Sequence, residues 1–118
     1  MKVNRIGDHE WRLLEEYQNP IFPGLTILAG FEWDGASIPD VARSLMSNSD
    51  LGILEASASH DWLYAREGKL SDEVTLTRKQ VDVIFKHEMK FYNVSWFDAQ
   101  VAFVAVRAFG GSHWGSNE

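Results

Sequence analysis

Residues 60–64, His-Asp-Trp-Leu-Tyr, place an imidazole and a carboxylate side by side in the middle of an otherwise apolar helical stretch. Because burying a carboxylate without a partner costs several kcal/mol, other polar groups must accompany this pair. The partners that the sequence offers are Asp34 before it, and Asp82 and Arg107 after it. The pattern therefore predicts a polar cluster that ties three distant segments of the chain to one helix.

Size and composition predict one globular domain over residues 1–118. The chain has 45% apolar residues, which suits one core, and it has no cysteine, which excludes disulfides and thiolate metal sites. Its net charge of -6 argues against a general affinity for nucleic acid, which requires clustered Lys and Arg. No run approaches ~18 consecutive apolar residues, so no membrane span is predicted. The first residues lack the apolar core of a signal peptide.

Residues 1–33 are predicted to be mainly β-structure. Apolar and polar residues alternate over residues 11–17, and a second apolar face runs over residues 25–33. Gly30, inside the second pattern, indicates a bulge or a close backbone approach. Two strands alone are marginally stable, so helices must cover them or a further short strand from residues 2–7 must join.

Residues 34–50 are predicted to form a motif loop followed by a short helix, and residues 51–110 are predicted to be helical. The three main helices expected there cover residues 51–66, a segment that begins after a capping box at Thr77 and Gln80, and residues 96–109. The fold class is therefore α+β, with a small antiparallel β-sheet in the N-terminal half packed against three main helices.

Finer expectations concern the ends and faces of these helices. Gly68 should end the first helix. The last helix should turn an apolar face inward, formed by Phe97, Val101, Val104 and Ala105. Residues 111–118 are predicted to form a loose tail, with Trp114 able to dock.

One interpretation of the polar cluster is structural. Asp61 would accept hydrogen bonds from the loop at residues 34–37 or from Arg107, and His60 would bond to a backbone carbonyl. Tyr64 lies four residues after His60, so the two side chains share a helical face. Asp82 has Arg78 and Lys86 one helical turn to either side, which is also typical of a solvated ion-pair partner. No cofactor is predicted under this interpretation.

The other interpretation is catalytic. His60 would act as a general base oriented by Asp61 or Asp34. Alternatively, a divalent metal would be held by His60, Asp61, Asp34 and Asp82, since imidazole and carboxylate ligands suit Zn, Mn, Fe or Mg. Ser37 is the hydroxyl that a Ser-His-Asp arrangement would need. However, no Gly-x-Ser-x-Gly segment surrounds Ser37, and its place before Ile38-Pro39 suits a turn better.

Four motifs in order connect this chain to a known family. They are Phe31-x-x-Asp34-Gly-Ala-Ser-Ile-Pro39, His60-Asp61-Trp-Leu-Tyr64, Arg78-x-x-x-Asp82-x-x-Phe85, and Val106-Arg107-x-Phe-Gly110. Together they resemble the small phage and prophage proteins of domain-of-unknown-function family 1353. Trp33 and Val81 depart from the family pattern and leave its polar residues intact.

The resemblance implies a setting rather than a reaction. The residues of this chain that match the polar and proline positions of the family's motifs are Asp34, Ser37, Pro39, His60, Asp61, Tyr64, Asp82 and Arg107. The resemblance implies a tailed-phage or prophage accessory protein, such as a virion, tail or lysis-module component whose partners are other phage proteins. The location that it implies is the virion or the host cytoplasm. The alternative left open is a metal-dependent hydrolase of cell-envelope or phosphoester substrates, centred on His60 and Asp61.

Overall fold

The computed structural model describes residues 1–7, 10–35, 38, 42 and 51–115. Two motif positions, Ser37 and Pro39, lie outside these residues. Apart from Ala42, the predicted short helix over residues 40–46 also lies outside them.

The N-terminal half forms antiparallel β-structure. Strands β1 (Val3–Gly7), β2 (Glu10–Leu13) and β5 (Glu32–Trp33) form a sheet in the order β1-β2-β5, and β3 (Tyr17–Gln18) pairs with β4 (Thr26–Ile27). The strand expected from residues 2–7 is present as β1.

The two long strands predicted over residues 11–17 and 25–33 are wrong in their extent. Gly30 has a φ of 93°, a conformation that favours glycine, and the chain turns there. This turn separates β4 from β5, and the backbone N–H of Gly30 donates to the carbonyl of Leu13 at 2.7 Å. Gly30 therefore marks a turn between two short strands and not the predicted bulge or close approach, since a Cβ there would meet no atom within 4 Å.

Three long helices follow: α1 (Leu51–Ala65), α2 (Arg78–Phe91) and α3 (Trp96–Phe109). The expected α+β class is confirmed. The capping box predicted at the start of α2 is present, with Thr77 accepting from the N–H of Gln80 and the Gln80 side chain accepting from the N–H of Thr77. No helix among the described residues is long and apolar enough to cross a membrane.

Gly68 ends α1, as predicted. Its φ is 80°, and its N–H donates to the carbonyl of Leu63 at 2.8 Å, which closes the last turn. A Cβ at this position would lie 2.0 Å from the carbonyl oxygen of Leu76. Glycine is required here both by the backbone conformation and by the close approach of a second segment.

The core has two parts. One lies between the strands and α1, and includes Leu13, Ile27, Trp33 and Leu63. The other lies mainly between α2 and α3. It is built from Phe85 and Met89 against the short side chains of Ala99, Ala102, Ala105 and Val106.

The predicted inward face of α3 is wrong for Phe97 and Val104, and it is correct for Val101 and Ala105, which contact the core. Phe97 and Val104 are 55% and 60% exposed, whereas Ala102 and Val106 are fully buried. Because Phe85 and Met89 of α2 fill the contact, short side chains of α3 fit against them. Close packing of α3 on α2 thus decides which face of α3 is buried, and the larger apolar residues remain outside.

Candidate functional site

His60 lies within α1 and is buried among aromatic rings. Its ring is 4.1 Å from that of Tyr64 and 4.6 Å from that of Phe85, measured between centroids, and its side chain has no exposed surface. The expected sharing of one helical face by His60 and Tyr64 is therefore present. The imidazole points into the interface between α1 and α2.

Asp82 of α2 is the hub of the polar cluster. One carboxylate oxygen, Oδ1, accepts from His60 Nε2 at 2.7 Å and from the Tyr64 hydroxyl at 2.6 Å. The other oxygen, Oδ2, accepts from Arg107 Nη1 of α3 at 2.7 Å. Because the Asp82 side chain is fully buried, the interpretation of this residue as a solvated ion-pair partner is wrong.

Two further predicted contacts are corrected by this geometry. His60 bonds through Nε2 to the carboxylate of Asp82, a partner that the structural interpretation did not give it. Arg107 pairs with Asp82, and not with Asp61 or Asp34. The reason is the placement of α3 against α2, which brings Arg107 to the buried side of Asp82.

Asp61 lies on the other side of His60. Its Oδ2 accepts from the backbone N–H of Gly35 at 2.9 Å, as the sequence predicted for the loop after Asp34. Its Oδ1 is 3.9 Å from His60 Nδ1, so the imidazole lies between two carboxylates. The side chain of Asp61 therefore joins α1 to the motif loop.

Arg78 extends the cluster to the end of α3. Its Nε donates to the Tyr64 hydroxyl at 3.0 Å, and its Nη2 donates to the carbonyls of Val106 and Arg107. A guanidinium at the last carbonyls of a helix is favourable because the helix dipole places partial negative charge there. A Cβ on Gly110 would lie 3.1 Å from the Tyr64 hydroxyl, which explains why the last motif ends in glycine.

The groups around His60 and Asp82 shift the pKa values of both side chains. Burial alone lowers the pKa of His60, but its hydrogen bonds and charge interactions with Asp61 and Asp82 outweigh burial and raise that pKa. Burial alone raises the pKa of Asp82, but His60, Tyr64 and Arg107 outweigh it and lower that pKa. Both directions favour a buried pair of imidazolium and carboxylate.

A cleft of about 600 Å³ lies beside this cluster, and its lining includes both Asp34 and Asp61. Asp34 is exposed at its edge, and Phe31 and Trp33, whose rings are stacked 5.9 Å apart, also line it. The predicted set of four metal ligands is thus divided between the cleft and the interior. Among the described residues, no three His, Asp or Glu side chains are grouped so as to hold a metal ion.

A second buried carboxylate, Glu88 of α2, had no predicted role. It accepts from the Tyr17 hydroxyl at 2.6 Å, from Asn19 Nδ2 at 2.7 Å and from the Ser59 hydroxyl at 3.2 Å. Burial raises its pKa from an ordinary 4.5 to about 7, against the opposing effect of these three hydrogen bonds. Helical spacing indicates that Glu88 is buried, because it lies one turn after the buried Ile84 on the same face of α2.

One surface of α3 is apolar and exposed. We define the α3 face as the residues of this helix that line a shallow groove of about 440 Å³: Trp96, Phe97, Gln100, Val101, Val104, Ala105 and Phe109. Trp96 is 76% exposed and Phe109 is 63% exposed. Contiguous apolar surface with aromatic residues marks interaction sites more often than isolated exposed side chains do.

Comparison with known families agrees with the motifs. The chain belongs to the family described as Protein of unknown function (DUF1353), whose match covers residues 11–106. That range contains Asp34, His60, Asp61 and Asp82. No curated protein and no solved structure matches the chain significantly.

Proposed function

We propose that this chain is a non-catalytic assembly component of a tailed phage or prophage, in the virion, the tail or the lysis module. In this proposal the cluster around Asp82 holds the fold, and the α3 face binds protein. The observation that carries the proposal is that the side chains of His60 and Asp82 have no exposed surface.

Burial and charge both argue against catalysis by His60. A general base must come within hydrogen-bond reach of the proton it removes, and it must be unprotonated. The imidazole here is enclosed by Tyr64 and Phe85, and its raised pKa favours the protonated form. These properties suit a residue that fixes helices to one another.

The α3 face supports the assembly part of the proposal. Its large apolar side chains are exposed although smaller ones on the same helix are buried. Exposed aromatic residues favour protein–protein contacts because they remove much apolar surface from water at little entropic cost. The phage setting rests on the resemblance of the four motifs to phage and prophage proteins.

A second candidate is a hydrolase that works in the cleft, and the observation favouring it is that Asp34 and Asp61 line the same cavity. A divalent metal would then be held from the cleft by these two carboxylates, with cell-envelope or phosphoester substrates. His60 would orient Asp61 rather than contact a substrate, since its own side chain is enclosed.

The two candidates are separated by surface variants tested for complementation in the phage or prophage that encodes the chain. Val104→Arg places a charge on the α3 face, and Val74→Arg, at an exposed valine between α1 and α2, is the matched control. Asp34→Asn removes a cleft carboxylate with little change in shape. We expect all three variants to fold, and only Val104→Arg to lose function.

The opposite pattern contradicts the assembly proposal. If Asp34→Asn abolished function while Val104→Arg retained it, the cleft would be the working site. Metal content of protein purified without a tag would then be measured, with Asp34→Asn and Asp61→Asn compared against the unmodified chain.

A further inference from the structure

We propose that the α3 face pairs with the same face of a second copy of this chain, with the two α3 helices antiparallel about a two-fold axis. The inference rests on the proposed function, because it names the protein that the face binds. Three features support this pairing: the positions of the residues along α3, the charge of the α3 face and its area.

Apart from Phe97, the positions of the α3 face are symmetric about the middle of the helix, between Ala102 and Phe103. In a two-fold interface, residue i contacts residue j of the other copy and j contacts i. Antiparallel pairing about this midpoint matches residues of the α3 face with one another: Trp96 with Phe109, Gln100 with Ala105, and Val101 with Val104. Phe97 would face the exposed but small Ala108, so a large side chain meets a short one.

The charge of the face also fits a second copy. Asp98 and Arg107, the charged residues of α3, both turn away from it, since Asp98 is buried and Arg107 bonds to Asp82. The α3 face therefore carries no charged side chain and fits an uncharged partner surface. A membrane surface would favour a rim of Lys and Arg, and the chain has a net charge of -6.

The area of the face predicts a weak dimer. An aromatic side chain buries about 150–250 Å² when fully covered. Trp96, Phe97 and Phe109 are 76%, 55% and 63% exposed, so together they supply roughly half of the ~800 Å² per partner of a standard interface. We therefore expect a dissociation constant in the micromolar range, on the order of 1–100 μM, with reversible exchange of protomers.

Sedimentation equilibrium of the full chain over a concentration series tests the pairing. We expect a monomer–dimer equilibrium that shifts at least tenfold toward monomer in Val104→Arg and remains unchanged in Val74→Arg. A chain that stays monomeric well above 100 μM would overturn the inference.

The absence of cysteine allows the orientation to be tested directly. Trp96→Cys and Phe109→Cys, both at exposed positions, are mixed and treated with a short bis-maleimide. Antiparallel pairing predicts that the mixture yields cross-linked dimers joining the two variants, with little product from either variant alone. Cross-linking of each variant with itself, and not with the other, would indicate parallel helices and overturn the inference.

These outcomes remain distinct from those that test the proposed function. If Val104→Arg abolished function in a chain that never dimerises, the α3 face would bind a different protein and only this inference would fail. If the chain dimerised antiparallel but Val104→Arg complemented fully, the inference would stand and the proposed function would fail.

Discussion

Two carboxylates on α2, Asp82 and Glu88, are both fully buried but differ in their partners. Asp82 meets two cationic groups, His60 and Arg107, and its pKa is lowered. Glu88 accepts hydrogen bonds from neutral groups, and its pKa is raised to about 7. The charge of the partners, and not depth of burial, therefore decides which carboxylate stays ionised at neutral pH.

The same helix, α1, supplies a partner to each carboxylate. Ser59 bonds to Glu88, and the next residue, His60, bonds to Asp82. Successive residues on a helix differ by about 100° in direction, so the two contacts fix both the position and the rotation of α1 against α2. The described residues contain no buried side-chain N or O atom without a hydrogen-bond partner.

We call Asp82 and Glu88, each with its hydrogen-bond partners, the two clusters. The largest difference in stability between them should appear when each carboxylate is replaced by its amide. Asp82→Asn leaves two cations without their counter-charge and presents an amide to Arg107, so we expect a loss of about 3–5 kcal/mol. Glu88→Gln removes no charge pair, and the hydroxyls of Tyr17 and Ser59 can reverse to accept from the new amide. We expect it to change stability by less than about 1 kcal/mol at pH 4.5, where Glu88 is protonated and the amide resembles it.

Urea denaturation monitored by circular dichroism measures both variants under identical conditions. Equal losses of unfolding free energy in the two variants would contradict the distinction between a carboxylate with cationic partners and one with neutral partners.

The pH dependence of stability should separate the clusters next. The folded-state pKa of Glu88 is raised above its ordinary 4.5 to about 7, so its contribution is fully present below pH 4.5 and is lost as the pH rises through 7. The difference corresponds to about 3 kcal/mol. The pKa of His60 is also raised, so its contribution is fully present below its ordinary 6.5 and is lost as the pH rises from there through the folded-state pKa.

The contribution of Asp82 to stability changes with pH in the opposite direction. Its folded-state pKa is lowered, so its contribution is present above its ordinary 3.8 and is lost as the pH falls through the folded-state value. Unfolding free energies at pH 4.5–8 for the unmodified chain and Glu88→Gln isolate the Glu88 contribution. We expect the decline between pH 4.5 and 7 to be much smaller in the variant; an unchanged decline would place its origin elsewhere.

The extent to which the sequence predicts this molecule depends on the range of the interactions. The start of α2 and the end of α1 were predicted because the hydrogen bonds of a capping box and of a C-terminal glycine join residues that are near in sequence. The inward direction of His60 was likewise predicted from its apolar helical surroundings. The interaction of Asp61 with the loop after Asp34 was predicted because a buried carboxylate requires donors.

The choice among several long-range partners was not predicted. Asp82 has cations one helical turn away on either side, and only the packing of α3 shows that Arg107 is its partner. Glu88 was missed because its donors Tyr17 and Asn19 come from the β-region. The buried face of α3 was misassigned because hydrophobicity favours Phe97 and Val104, whereas close helix packing favours alanine.

A smaller contrast should come from removing one tyrosine hydroxyl in each cluster. Tyr64→Phe removes a donor to Asp82, which is ionised throughout pH 5–8, so we expect a nearly constant cost of about 1–2 kcal/mol. Tyr17→Phe removes a donor to Glu88, whose ionisation near pH 7 should raise the cost from about 1 to about 2 kcal/mol. Unfolding free energies at pH 5 and pH 8 provide the comparison, and a pH-independent cost for Tyr17→Phe would contradict it.

The central claim is that His60 is a buried cation paired with Asp82, and not an accessible base. Nitrogen-15 NMR of the histidine side chains reports it directly, because both ring nitrogens of an imidazolium carry protons, and the exposed His87 provides an internal reference. We predict that His60 remains protonated at Nδ1 and Nε2 at pH 7, where an unperturbed histidine is mostly neutral. A neutral His60 at pH 7, titrating at or below 6.5, would contradict the account.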